Sequence, residues 1–158
     1  MLSKPAIRLL RKVQKHILEE PRRMNMETWL RTRIQGKRYF AFRGFGVNRA
    51  ENPATPPCGT AGCIAGWVMM LTPMKPEERS YIINVGNAAH SAQEKLGLDY
   101  YQGSRLFLPS DWPEPYKSKL AKAKIGTKKY AQVVSDRIDY FIQTDGKDGV
   151  VDSEPTPF

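Results

Sequence analysis

The stretch Cys58-Gly59-Thr60-Ala61-Gly62-Cys63-Ile64-Ala65-Gly66-Trp67 is the part of the chain around which the rest is organised. Two cysteines, three glycines and a threonine lead here into an apolar run. Gly59, Thr60 and Gly62 read as a tight turn, because glycine reaches backbone angles closed to other residues. Thr60 stands where a hydroxyl can cap the helix that follows. That helix is expected over residues 63–71 and stops before Pro73, which cannot continue it. Almost none of its residues are polar, which predicts a buried central helix. Gly62 and Gly66 would sit four apart on one of its faces and admit a neighbouring backbone.

The clearest helix lies upstream, over residues 5–20. Ala6, Leu9, Leu10, Val13 and Ile17 recur on one face, and Arg8, Arg11, Lys12 and Lys15 on the opposite one. Pro5 suits its first turn and Pro21 ends it. Asn25 is a candidate cap for the short segment that follows. Residues 39–45 are aromatic and extended in character, reading as a strand or one arm of a hairpin. Downstream, residues 84–97 form a helix closed by Gly97, and Asp99 caps a short helix ending near Phe107. Trp112 reads as a core plug in a rigid turn. Residues 114–124 are helical and lysine-rich. Thr127 caps a last helix with Tyr130, Val134, Ile138, Phe141 and Ile142 on one face. The fold expectation is a mainly α domain of about six helices over residues 1–144, with a small β element near residues 38–47. The first and last helices should pack across the central one. Residues 145–158 read as an acidic mobile tail. A calcium loop over residues 145–149 fails, because Lys147 stands where an oxygen ligand is required.

The decapeptide resembles the CGTxxCIAGW signature of a family of small, largely uncharacterised proteins of bacteriophages and bacteria. Flanking pieces are similar too: Met26-Glu27-Thr28-Trp29, Leu96-Gly97-Leu98, Arg105-Leu106-Phe107, Trp112-Pro113 and Arg137-Ile138-Asp139-Tyr140-Phe141-Ile142. Arg43-Gly44-Phe45-Gly46 departs from the pattern. The resemblance implies a helical fold and a phage or bacterial accessory role, and it implies no mechanism. In a phage setting, sequestering a host defence signal or blocking a host protein would be natural tasks.

Charge narrows the partner class. The net charge is +9. Residues 1–43 hold twelve Lys and Arg against three acids, so the whole excess sits in the first quarter. That asymmetry favours an anionic partner, nucleic acid or nucleotide first and an acidic host protein second. A plain solubilising face is the alternative. No apolar run reaches the roughly 18 residues of a membrane helix, and no secretory signal opens the chain, so a cytoplasmic location without a membrane partner is expected.

Three chemistries compete at the decapeptide. In the first, Gly59, Thr60 and Gly62 expose N–H groups at a helix start and bind an anion. Arg38, Tyr39, Phe42 and Arg43 would supply cations and stacking rings, and Arg11 and Lys15 further countercharge. In the second, Cys63 at a helix N-terminus has a lowered pKa and acts as a nucleophile, with His90 as base in preference to His16. In the third, Cys58, Cys63, His16 and His90 hold a metal, although structural zinc sites use tighter paired spacings. The reading taken is non-catalytic binding, with no metal and no cofactor.

Overall fold

The computed structural model describes residues 1–27, 30–34, 37–40, 61–73 and 88–148. Among these the protein is mainly helical, with six α-helices. Helix α1, Lys4–Glu19, starts at Ser3, whose hydroxyl accepts the Ala6 N–H at 3.2 Å. Its stripe of Ala6, Leu10, Val13 and Ile17 is buried, and a single 3-10 turn, Pro21–Arg23, follows. Among the described residues no helix follows directly on Asn25. Its side chain accepts the Glu27 N–H at 2.9 Å, and the chain turns into strand β1, Leu30–Ile34.

Strand β1 lies between β2, Lys37–Phe40, and β3, Ala61–Gly62, with antiparallel pairing on both sides. The β element expected near residues 38–47 shares only residues 38–40 with this sheet, and its remainder lies outside the described residues. Strand β3 is joined to the residue just after the 3-10 turn by a parallel bridge between Met24 and Gly62.

Helix α2, Ile64–Leu71, is the apolar helix, and every residue from Ile64 to Met69 is buried. Trp67 is fully enclosed, and its ring N–H donates to the Arg23 carbonyl at 3.0 Å. Helix α3, Ala88–Leu96, packs on α2. It ends at Gly97, whose φ of +63° is a left-handed conformation that glycine adopts without penalty. Helix α4, Tyr100–Phe107, opens with a capping box between Asp99 and Gln102. Trp112 is buried with its ring N–H on the Leu106 carbonyl at 3.2 Å. Helices α5, Tyr116–Lys122, and α6, Lys128–Gln143, complete the set.

The expectation that the first and last helices pack across α2 holds for α1 and is corrected for α6, which packs chiefly on α1 and α5. Helix α1 packs on both α2 and α6. The α1–α6 pair is antiparallel: Gln14 donates to the Ser135 carbonyl at 2.8 Å, and the Leu2 N–H donates to Asp145. A second correction concerns the chain after Thr144. Residues 145–148 are docked, and Asp148 is buried with an oxygen 2.5 Å from Arg137 Nη2. An arginine buried in α6 needs a counterion, and Asp148 supplies it. The rest of the expected tail lies outside the described residues.

Candidate functional site

The entry to α2 differs from its sequence reading. Ala61 and Gly62 are strand, so Gly62 and Gly66 do not share a helix face. The helix cap is Cys63 in place of Thr60. Its sulfur accepts the Gly66 N–H at 3.5 Å, and its carbonyl accepts the Trp67 N–H at 3.0 Å. The Gly62 carbonyl takes the Asn25 N–H at 3.0 Å. Gly62, Cys63, Ile64, Ala65 and Gly66 are all buried, so the positive end of this helix is closed among the described residues. Gly59 and Thr60 lie outside them.

Burial also reverses the expectation for the thiol. Cys63 is 1% exposed, and desolvation pushes its pKa up to about 11. Ionising a buried thiol leaves a charge without water, and this outweighs the three backbone bonds that favour the thiolate. His90, the base paired with it in the sequence reading, is exposed on α3, with Nε2 3.4 Å from Glu94 Oε1. The would-be nucleophile is sealed in the core while the base faces solvent. His16 is the histidine near α2, its ring centre 4.1 Å from that of Trp67 and tilted by 51°. Burial and then the Arg23 charge lower its pKa, which disfavours the imidazolium. Among the described residues no group of three or more His, Cys, Asp or Glu could hold a metal ion. Cys58, the remaining candidate ligand, lies outside them.

The basic residues divide into committed and uncommitted. Arg11 bonds Asp139 across the α1–α6 seam and donates to Gln14 at 2.7 Å. Lys15 Nζ lies 3.8 Å from Glu19. Both are exposed, and both already have a carboxylate partner. Lys4, Arg8 and Lys12 are exposed on α1 without an ion pair among the described residues. In the sheet, Arg38 stands opposite Arg33, and Tyr39 opposite Thr32. Phe42 and Arg43 lie outside the described residues.

Folding brings a lysine run beside a cation from the first quarter of the chain. Lys122, Lys124, Lys128 and Lys129 are exposed around the α5–α6 turn, beside Arg22 from the first quarter. The run was visible, but nothing local connects it to a residue a hundred positions earlier. No helix among the described residues is long and apolar enough to cross a membrane. Comparison with family models, curated proteins and solved structures finds no match to this chain.

Proposed function

We propose that this protein is a non-catalytic binder of a polyanion, with nucleic acid as the partner class, and that α1 presents one contact face. The supporting observation is the solvent side of α1, where Lys4, Arg8 and Lys12 are exposed and have no carboxylate of their own among the described residues. The opposite side of α1 is the buried stripe that anchors it against α2 and α6. A 16-residue helix is about 24 Å long at 1.5 Å per residue, long enough to follow several phosphates. The closed start of α2 favours an extended anion over a small one that would need the free N–H groups of a helix end.

Fluorescence anisotropy with a single-stranded oligonucleotide tests this. The double variant Arg8→Gln/Lys12→Gln should bind several-fold more weakly while melting at the parent temperature, since both side chains are at the surface. Equal binding by parent and variant would remove α1 from the interface. Absence of binding by the parent at low salt would remove the reading itself.

A further inference from the structure

We infer that the turn between α5 and α6, together with Arg22, forms a second surface that holds the phosphate backbone of a nucleic acid. The surface is separate from α1, so its failure would leave the reading above standing.

Four exposed lysines lie within residues 122–129, and the chain holds no acid between Glu114 and Asp136. The turn that carries them is fixed. Gly126 has φ +79°, a conformation glycine adopts readily. The Thr127 hydroxyl donates to the Lys124 carbonyl at 2.6 Å and accepts the Tyr130 N–H at 3.3 Å. Beneath it Leu120, Ala123 and Tyr130 are buried, and the Tyr130 hydroxyl accepts the Met26 N–H at 3.1 Å. The lysines therefore extend from a held backbone.

Tertiary structure adds a fifth cation. The 3-10 turn after α1 packs against α6 and places the Arg22 Cα 3.8 Å from where a Cβ on Gly126 would stand. The acids near this end are largely occupied: Glu20 pairs with Arg23 at 2.7 Å and Glu19 faces Lys15 at 3.8 Å, leaving exposed Glu27. Among the described residues, none of Arg22, Lys122, Lys124, Lys128 and Lys129 forms an ion pair.

The location of the charge points to use. The first turn of a helix favours acids, because the backbone dipole is positive there. Helix α6 has no acid in its first turn and begins Lys128-Lys129. Lysines serving only solubility could stand anywhere on the surface, whereas Lys128 and Lys129 stand where the α6 dipole and the neighbouring lysines oppose them. A polyanion relieves both repulsions. The turn carries no aromatic residue to stack on a base, and its one apolar side chain at the tip is Ile125, 37% exposed. That composition suits sequence-independent contact with phosphates.

The test is the salt dependence of binding to a single-stranded oligonucleotide, for the parent, for Lys124→Gln/Lys128→Gln/Lys129→Gln, and for Arg8→Gln/Lys12→Gln. Loss of three phosphate contacts should flatten the slope of log K against log salt by about 2, at about 0.7 per contact. The melting temperature should hold or rise, and arginine at the same three positions should keep the slope. An unchanged slope in the turn variant, beside weakened binding in the α1 variant, overturns this inference alone. Binding of charge-matched polyglutamate as tight as that of the oligonucleotide overturns it in favour of an acidic protein surface. No binding by the parent overturns both.

Discussion

Replacing Asp148 by alanine should be among the most damaging single changes outside the apolar core. Arg137 is fully buried in α6, where its Nη2 bonds the Arg105 carbonyl at 2.7 Å and lies 2.5 Å from Asp148. Its guanidinium carbon sits 5.8 Å from the Trp112 ring centre and 5.6 Å from that of Phe141. Desolvation lowers the Arg137 pKa and the Asp148 carboxylate opposes that shift, so the pair keeps the charge tolerable inside. Removing one partner of a buried pair costs about 3–5 kcal/mol. The two rings and the Arg105 carbonyl remain as partial compensation, which places the expectation at the lower end, about 3 kcal/mol. For a chain of this size that is a fall of about 6–12 °C in Tm. The control is Arg137→Met/Asp148→Leu. Among the described residues Arg137 Nε and Nη1 are buried without hydrogen-bond partners, so an apolar replacement gives up little and should melt near the parent or above it. Thermal melts by circular dichroism read all three proteins. A Tm for Asp148→Ala within about 2 °C of the parent would refute the reasoning, because it would mean that residues 145–148 are not docked on α6.

Further expectations are smaller in scale. Between pH 9 and 11 the unfolded chain ionises Cys63 before the folded one does, so this thiol should lower stability as pH rises, by about 2–3 kcal/mol at the upper end; Cys63→Ala should show a shallower slope in denaturant titrations, the remainder coming from Tyr130 and Tyr116, whose pKa values burial also raises. His16 behaves in the opposite sense: its pKa is lowered on folding, the unfolded chain binds the proton first below about 6.5, and stability should fall on acidification, less so in His16→Gln. Lys128→Glu/Lys129→Glu should raise stability by about 0.5–2 kcal/mol through the α6 dipole while weakening oligonucleotide binding. Iodoacetamide should label the Cys63 peptide slowly in the native protein and rapidly after denaturation, as read by mass spectrometry.

Much of the helical framework was legible because its signals are local. Asp99 and Thr127 were named as caps and accept the N–H groups of Gln102 and Tyr130. The apolar spacing of α1 marked the buried face of Ala6, Leu10, Val13 and Ile17. The start of α2 was misread for a physical reason. A threonine hydroxyl is the stronger cap on paper, yet pairing with Leu30 draws Gly62 into a sheet and leaves the cap to the next residue, Cys63. Once that turn is pinned to Met24 and Asn25, its cysteine is internal, and the low pKa expected at a helix start gives way to desolvation. Asp148 was hidden by its polar neighbours, since composition cannot show that a buried arginine 11 positions earlier requires a carboxylate. The candidate site was legible only in part. Arg11 and Lys15 were correctly placed on an exposed helix face, but their intramolecular carboxylates Asp139 and Glu19 became visible only after folding. The proximity of Arg22 to the lysine turn depends on the antiparallel pairing of α1 with α6, and no local pattern encodes it.

Cations without a carboxylate partner among the described residues are the foundation of the functional reading, and the salt titration of the unmodified protein addresses them most directly. With four or more phosphates engaged, log K for a single-stranded oligonucleotide should fall with log salt at a slope of about −3 or steeper. A slope near zero, or no association at about 50 mM salt, would contradict it.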